Sequence, residues 1–182
     1  MCKLCETNPV YEFTNKRKLC KNCFINYFHK KVLYSIRKFG MIKQKDIVGY
    51  NKGNDLKGIV LENILFFLSK KSGFQIVKLP NTTATKITVD SSIDSESEEI
   101  VNILIKGDSS KLKQDLPIEG KKIKPLYLFS DEEILLYAKI KNLKFKQEKK
   151  KENKISSFVN ELEKKHPEVK RAVVNSLLEL YK

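Results

Sequence analysis

No cysteine follows residue 23 in this chain of 182 residues. That absence excludes a disulfide framework through the body and any thiol nucleophile beyond the first 23 positions. No apolar run approaches the roughly 20 residues that a membrane span needs. The cysteine pattern starts at Cys2, which leaves no room for a signal peptide ahead of it, so a cytoplasmic protein is expected. No internal repeat is present. Basic residues outnumber acidic ones at both ends. Residues 1–45 hold 11 Lys/Arg against Glu6 and Glu12, and residues 109–182 hold 18 against 11, whereas residues 46–108 hold 7 against 9. The net charge of +14 therefore sits at the two ends. Such asymmetry suggests a polyanion footprint, most simply nucleic acid, against the plainer reading of solvated lysine-rich faces.

The cysteines that are present are tightly patterned. Cys2, Cys5, Cys20 and Cys23 form two C-x2-C pairs separated by 14 residues. Each pair can place two thiolates on one metal from a tight knuckle, and two knuckles complete a tetrahedral site. A closed four-thiolate site leaves no position for water or substrate, so a structural Zn²⁺ is expected, with iron in the same cage and disulfides as the alternatives.

Past Cys23 the pattern turns helical, with Phe24, Phe28, Val32, Ile36 and Phe39 on one stripe and Gly40 as the stop. Lys30, Lys31, Arg37 and Lys38 lie mostly off that stripe. His29 follows the knuckle closely and is read as a surface or phosphate-contacting side chain rather than a fifth ligand. Residues 46–50 read as a strand, 51–58 as a loop, 59–68 as a buried helix, and 74–79 and 86–89 as strands. Residues 80–85 and 90–99 are polar and turn-rich, and a short helix is expected over 98–106. Residues 111–124 read as a polar connector. Ser130 with Glu133 predicts a capping box for a helix through Ile140. Residues 139–154 carry eight lysines against Glu148 and Glu152 and read as an exposed basic segment. Helices over 155–163 and 167–181 close the chain. The β-loop-α-β alternation favours a parallel sheet covered by helices.

Several stretches together resemble one family, the PP-loop tRNA 2-thiouridine synthetases of the TtuA and Ncs groups. The opening MCKLC…LCKNCFINYFHKKVLYSIRKFGMI is similar to their four-cysteine ribbon and basic helix. SSIDSESEEIVNILIKGD at 91–108 resembles their HNLDDEAQ-to-RGD helix. KIKPLYLFSDEEILLYA at 122–138 resembles a stretch like RIKPLYEIPEKEVALYA, and SSFVNELEKKHPEVKRAVVNSLLEL at 156–180 resembles the closing helices. The resemblance implies an α/β fold: an N-terminal four-cysteine zinc ribbon plus a truncated, degenerate PP-loop (HUP-like) parallel-sheet domain with C-terminal helices. The implied division is 1–42 for ribbon and basic helix and 43–182 for the rest.

The departures bear on activity. The family's SGGKDS loop corresponds to NKGNDL at 51–56, where only Gly53 and Asp55 fall on the motif. Its glycines let backbone N–H groups reach phosphate. The family's later cysteines, which ligate an iron–sulfur cluster or handle sulfur, have no counterpart here. PNTTAT at 80–85 replaces a long catalytic insert, and FKQEKKKENK at 145–154 replaces a Cys-Pro-Tyr-like stretch. Asp94 and Glu96 survive from the HNLDDE-like segment and are read as capping or solvated residues, with Ser91 in the histidine's place.

The resemblance thus implies a shortened, catalytically inactive Ncs-type partner: a non-catalytic subunit of a tRNA wobble-uridine 2-thiolation complex, in a heterodimer with an active PP-loop thiolase paralogue. No catalytic residue, no ATP and no iron–sulfur cluster are expected in this chain. Lys16, Arg17, Lys18, Lys21, Lys30, Lys31, Arg37 and Lys38 are the candidate tRNA contacts, and Tyr11, Phe13, Tyr27 or Tyr34 could stack a base. The alternatives are a small nucleotide-dependent tRNA-modifying enzyme with a degenerate PP-loop, or a stand-alone zinc-ribbon RNA-binding protein. No membrane partner is expected.

Overall fold

The computed structural model describes residues 1–146 and 153–181. The chain opens with a two-stranded antiparallel ribbon, β1 (Tyr11–Glu12) and β2 (Lys18–Leu19), in which Tyr11 pairs with Leu19. Helix α1 (Lys21–Phe39) follows directly and buries Phe24, Phe28, Val32 and Ile36, the stripe its sequence displays. It ends at Gly40, whose φ of 62° is the left-handed conformation that glycine adopts at little cost.

A five-stranded sheet forms the body. Its strands are β3 (Ile47–Tyr50), β4 (Gln75–Lys78), β5 (Lys86–Thr88), β6 (Ile118–Glu119) and β7 (Lys122–Ile123), in the order β4-β3-β5-β7-β6. β3, β4, β5 and β7 run parallel, and β6 pairs antiparallel with β7. The covering helices are α2 (Leu56–Ser72), α3 (Ile93–Lys106), α4 (Asp131–Ile140), α5 (Lys154–Lys165) and α6 (Val169–Leu180). α2 follows β3, α3 follows β5 and α4 follows β7, so all three start beyond the C-terminal ends of parallel strands.

The parallel α/β architecture expected from the sequence is what the chain adopts. Two expectations are corrected. The stretch read as a polar connector holds a 3-10 helix (Ser109–Asp115) and the β6–β7 hairpin, and β7 is a central strand of the sheet. Strands of two residues are too short to show any alternation. Helix α3 begins at Ile93 rather than Glu98, because Ser92 caps it in a capping box with Ser95, and a serine at that third position hides the usual S-x-x-E signature. Of the basic segment at 139–154, residues 139–140 end α4, residue 154 opens α5, and residues 147–152 lie outside the described residues.

Ribbon, α1 and sheet share one core. Cys2, Leu19, Phe24 and Phe28 lie in the same buried cluster as Val48, Ile64, Leu126 and Tyr137. Phe28 stacks on Tyr137 at 4.2 Å between ring centres. A second cluster joins α3 to α6 through Ile100, Ile103, Val174 and Leu177, with Tyr127 between them.

Buried charge pairs fasten these layers. Lys31 on α1 contacts both carboxylate oxygens of Glu133 on α4, at 2.6 and 2.9 Å, and Glu133 is 2% exposed. Lys170 on α6 meets Asp94 on α3 at 2.6 Å, and Lys124 meets Glu96 at 2.8 Å. Ser91 also donates to Glu96. Asp94 and Glu96 are thus buried ion-pair partners, which corrects their reading as solvated residues. Removing one member of such a pair strands the other charge without water. Glu133→Gln is therefore expected to lower the unfolding free energy by about 3 kcal/mol. A urea denaturation midpoint matching that of the unaltered protein would refute it.

Candidate functional site

The four cysteines converge at the start of α1. Their sulfurs all lie within 4.8 Å of one another, with Cys5 Sγ 3.3 Å from Cys20 Sγ and 3.6 Å from Cys23 Sγ. These separations are too long for disulfide bonds, and all four are free. The first knuckle closes through the Glu6 N–H donating to the Cys2 carbonyl at 3.0 Å. Cys20 occupies the N-cap position of α1 and Cys23 its first turn, with no acidic residue there, so the positive end of the helix faces the thiolates.

The sulfurs titrate unequally. The Leu4 backbone N–H holds the Cys2 thiol low, and the Thr7 hydroxyl brings Cys20 down to about 6. Hydrogen bonding to Cys20 and Cys5 pushes Cys23 up to about 12. Thiolates this close repel one another, and a bound cation is what lets all four ionise together. The donor set and its convergence therefore fit a metal centre held entirely by thiolate, a geometry that suits zinc and iron–sulfur centres alike.

The basic residues proposed from sequence are placed differently from one another. Lys21, Lys30, Arg37 and Lys38 are exposed along α1. Lys16 and Lys18 flank the ribbon near Glu12, at 3.9 and 3.1 Å. The Arg17 guanidinium carbon sits over the Phe13 ring, 4.2 Å from its centre. Lys31 points inward to Glu133 and its charge is spent inside the protein, so it does not present a free cation to solvent. Of the aromatic candidates, Tyr11, Phe13 and Tyr27 pack in one edge-to-face cluster, and only Tyr34 is exposed.

His29 is also corrected. It is half-buried, stacks on Phe67 at 3.9 Å and bonds to the Tyr137 hydroxyl at 3.0 Å. That hydroxyl donates onward to Asn63 at 2.9 Å, so it accepts from His29 Nε2. Burial first, then Lys141 and Lys71, lower the His29 pKa to about 4. The ring is neutral near pH 7 and does not attract phosphate.

Gly53 and Asp55 sit where β3 hands over to α2. Asp55 caps α2, accepting from the Gly58 N–H at 3.1 Å. A Cβ at Gly53 would collide with that carboxylate, which explains the glycine without any ligand. The Lys146 N–H donates to the Asn54 carbonyl at 2.7 Å, so the chain leaving α4 crosses the loop. This is the switch point of the sheet, where β4 lies to one side of β3 and β5 to the other, and open α/β folds bind ligands there. Lys57, which reaches into the same region, has no signature in the sequence. Its Nζ lies 2.7 Å from Ser92 Oγ and 3.0 Å from an Asp131 carboxylate oxygen. No motif marks it, since it stands three positions after the lysine place of the related loop.

Comparison with known proteins finds likeness among solved structures. No family model and no curated protein matches the chain. Among solved structures, the U34-tRNA thiolase NcsA from Methanococcus maripaludis with its [4Fe-4S] cluster superposes with a TM-score of 0.80 at 18% identity. The match covers 98% of this chain and 86% of that one. The chain therefore has the PP-loop thiolase fold, from the four-cysteine ribbon to the closing helices. The cofactor expectation, zinc with no iron–sulfur cluster, is corrected here. That thiolase holds a [4Fe-4S] cluster, and cysteine thiolates are the ligands such clusters take, so the expectation of zinc to the exclusion of iron–sulfur does not stand. Among the described residues, no helix is long and apolar enough to cross a membrane.

A neutral His29 has a pH consequence. Its pKa is depressed on folding, so the unfolded chain binds the proton more readily between about pH 6.5 and 4. Stability from this group is fully present above about 6.5 and falls as pH drops toward 4. For a half-exposed ring the loss is about 1–2 kcal/mol. The difference in unfolding free energy between the protein and His29→Asn should narrow by that amount across the window. A constant difference would refute it.

Proposed function

We propose that this chain is a subunit of a tRNA wobble-uridine 2-thiolation complex, in which it contributes a tRNA-facing surface and a thiolate-held metal centre. The observation that carries this reading is the likeness over nearly the whole chain to a U34-tRNA thiolase. The basic residues exposed along α1 support a polyanion partner, since phosphate contacts position an RNA whatever its sequence.

The chain is proposed as the non-catalytic member, partnered by an active PP-loop thiolase. Two features favour that role. The Asp55 carboxylate takes the α2 N-terminus, where the fold's phosphate-cradling loop would present backbone N–H groups to an anion. No cysteine stands beyond Cys23 to carry sulfur. Cys2, Cys5, Cys20 and Cys23 would hold the iron–sulfur group, whose four thiolate ligands tie the ribbon to the start of α1. The partner would supply adenylation of the uridine and the sulfur-transfer thiols. A second reading, a nucleotide-dependent enzyme in its own right, is favoured by Lys57 at the switch point.

Coexpression with a PP-loop thiolase paralogue from the same genome, followed by size exclusion with mass measurement, is expected to give a one-to-one complex that retains tRNA. Two separate peaks would overturn the partner reading. ATP-dependent pyrophosphate release by the isolated chain would favour the second.

The metal centre has its own test. Protein purified without oxygen is expected to contain iron and acid-labile sulfide. Cys20→Ser should lose both and unfold at a lower temperature. Stoichiometric zinc with no iron would refute this assignment.

A further inference from the structure

Between the ribbon and α1 runs a groove of about 440 Å³, within the range of sites that hold small ligands. Leu4, Arg17, Asn26, Tyr27, Lys30 and Tyr34 line it. Three properties bear on what it takes. Its walls include no carboxylate, whereas a second groove, which Tyr11 and Phe13 of the ribbon also line, includes Glu132, Glu163 and Glu168. Lys31 also reaches it but is paired with Glu133, which leaves Arg17 and Lys30 as its free cations. The Arg17 Nε is buried and has no hydrogen-bond acceptor, although the guanidinium is held in place over Phe13. The buried Nε is out of a ligand's reach, so Arg17 can serve the groove only through the remaining N–H groups of its guanidinium. At the rim, Tyr34 is 56% exposed on α1, and the Lys38 ammonium lies 5.8 Å from its ring centre, so the aromatic face sits among cations.

A cationic groove with a fixed guanidinium and one free aromatic face suits a nucleotide better than a protein side chain. A phosphate accepts from guanidinium and ammonium, and a base covers the ring. A duplex cannot offer an unstacked base, so an unpaired nucleotide is required. We infer that this groove binds one unpaired nucleotide of an RNA chain, with the base stacked on Tyr34 and its phosphate held by Arg17 and Lys30. The inference rests on the tRNA reading above and narrows it to single-stranded tRNA. Phosphate contacts alone would bind paired and unpaired RNA alike, whereas Tyr34 adds a preference for bases out of the helix.

The test uses the full chain, with tRNA transcript, a labelled oligouridylate and an RNA duplex of the same length as probes. Fluorescence anisotropy is read at two salt concentrations. Tyr34→Ala should weaken oligouridylate binding about tenfold and leave duplex binding unchanged, while Tyr34→Phe keeps the stacking face and should bind as the unaltered protein does. Lys30→Gln should reduce the salt slope by about one. Both positions are exposed on α1, so circular dichroism should show folded variants. If tRNA binds tightly but is indifferent to Tyr34 and Lys30, the groove assignment falls while the tRNA reading stands. If no RNA binds even at low salt, both fall. If Tyr34→Ala spares RNA binding but breaks the complex with a partner protein, the groove is a protein surface and the inference is overturned.

Discussion

The buried carboxylate of Glu133 is the point on which the two ends of this molecule meet. It accepts from the Ser130 backbone N–H at 3.0 Å as part of the α4 capping box. It also accepts from the Tyr27 hydroxyl at 2.7 Å and receives the Lys31 ammonium, both from α1. One side chain thus starts a helix of the body and anchors the helix that carries the metal ribbon. Burial lowers the Lys31 pKa while Glu133 opposes that shift, so the ammonium depends on this one partner. The aromatic stack of Phe28 on Tyr137 and Phe129 lies beside it, and it holds α1 in place without directing its rotation. A charge pair within an apolar contact adds that direction, because a slip of one residue along α1 would leave both charges buried and unpaired.

The same logic operates at the switch point of the sheet. Helices α2, α3 and α4 all present their N-termini there, and each brings backbone N–H groups and partial positive charge. In a nucleotide-binding relative of such a fold those groups would face phosphate. Here the chain meets them with its own acids. Asp55 caps α2, Asp94 accepts from the Asp131 N–H at 2.8 Å, and Asp131 takes Lys57 at 3.0 Å. An external anion would have to displace carboxylates already hydrogen-bonded at close range, which costs more than entering an open nest. This electrostatic self-sufficiency stabilises the fold and favours the non-catalytic role proposed for the chain.

Sequence reasoning reached the elements that carry short-range signals. The α1 stripe, the Gly40 stop, the Ser130–Glu133 box and the cysteine spacing all depend on neighbours within a few positions, so pattern alone reveals them. What it missed depends on distant partners. β7 has two residues and becomes a strand only because β5 lies beside it. Lys31 reads as one more cation on a basic helix until Glu133, about a hundred positions away, claims it. His29 looked exposed because Phe67 and Tyr137 come from other helices. The cysteine spacing pointed to four thiols that converge, as they do, but four thiolates serve zinc and iron–sulfur groups alike, so spacing could not choose between them.

The interior also sharpens the charge argument for RNA. Lys31, Lys57, Lys124 and Lys170 are largely withdrawn from solvent. Counting these lysines out would weaken the case for a basic surface if they left alone. They do not: Glu133, Asp131, Glu96 and Asp94 leave with them, and Asp115 joins Lys124 at 3.9 Å. The core therefore consumes acids at least as fast as it consumes lysines. The net charge of +14 is expressed on the outside, on a surface depleted of its own counter-charges. Exposed lysines without nearby carboxylates keep their ion atmosphere until a polyanion replaces it, and release of ions on both sides then favours binding. The aromatic and aliphatic side chains that remain exposed on α1 and the first knuckle, Tyr34 and Leu4, lie among those cations rather than away from them. That juxtaposition is what the proposed RNA surface requires, because solubility needs charge but gains nothing from an exposed ring beside it.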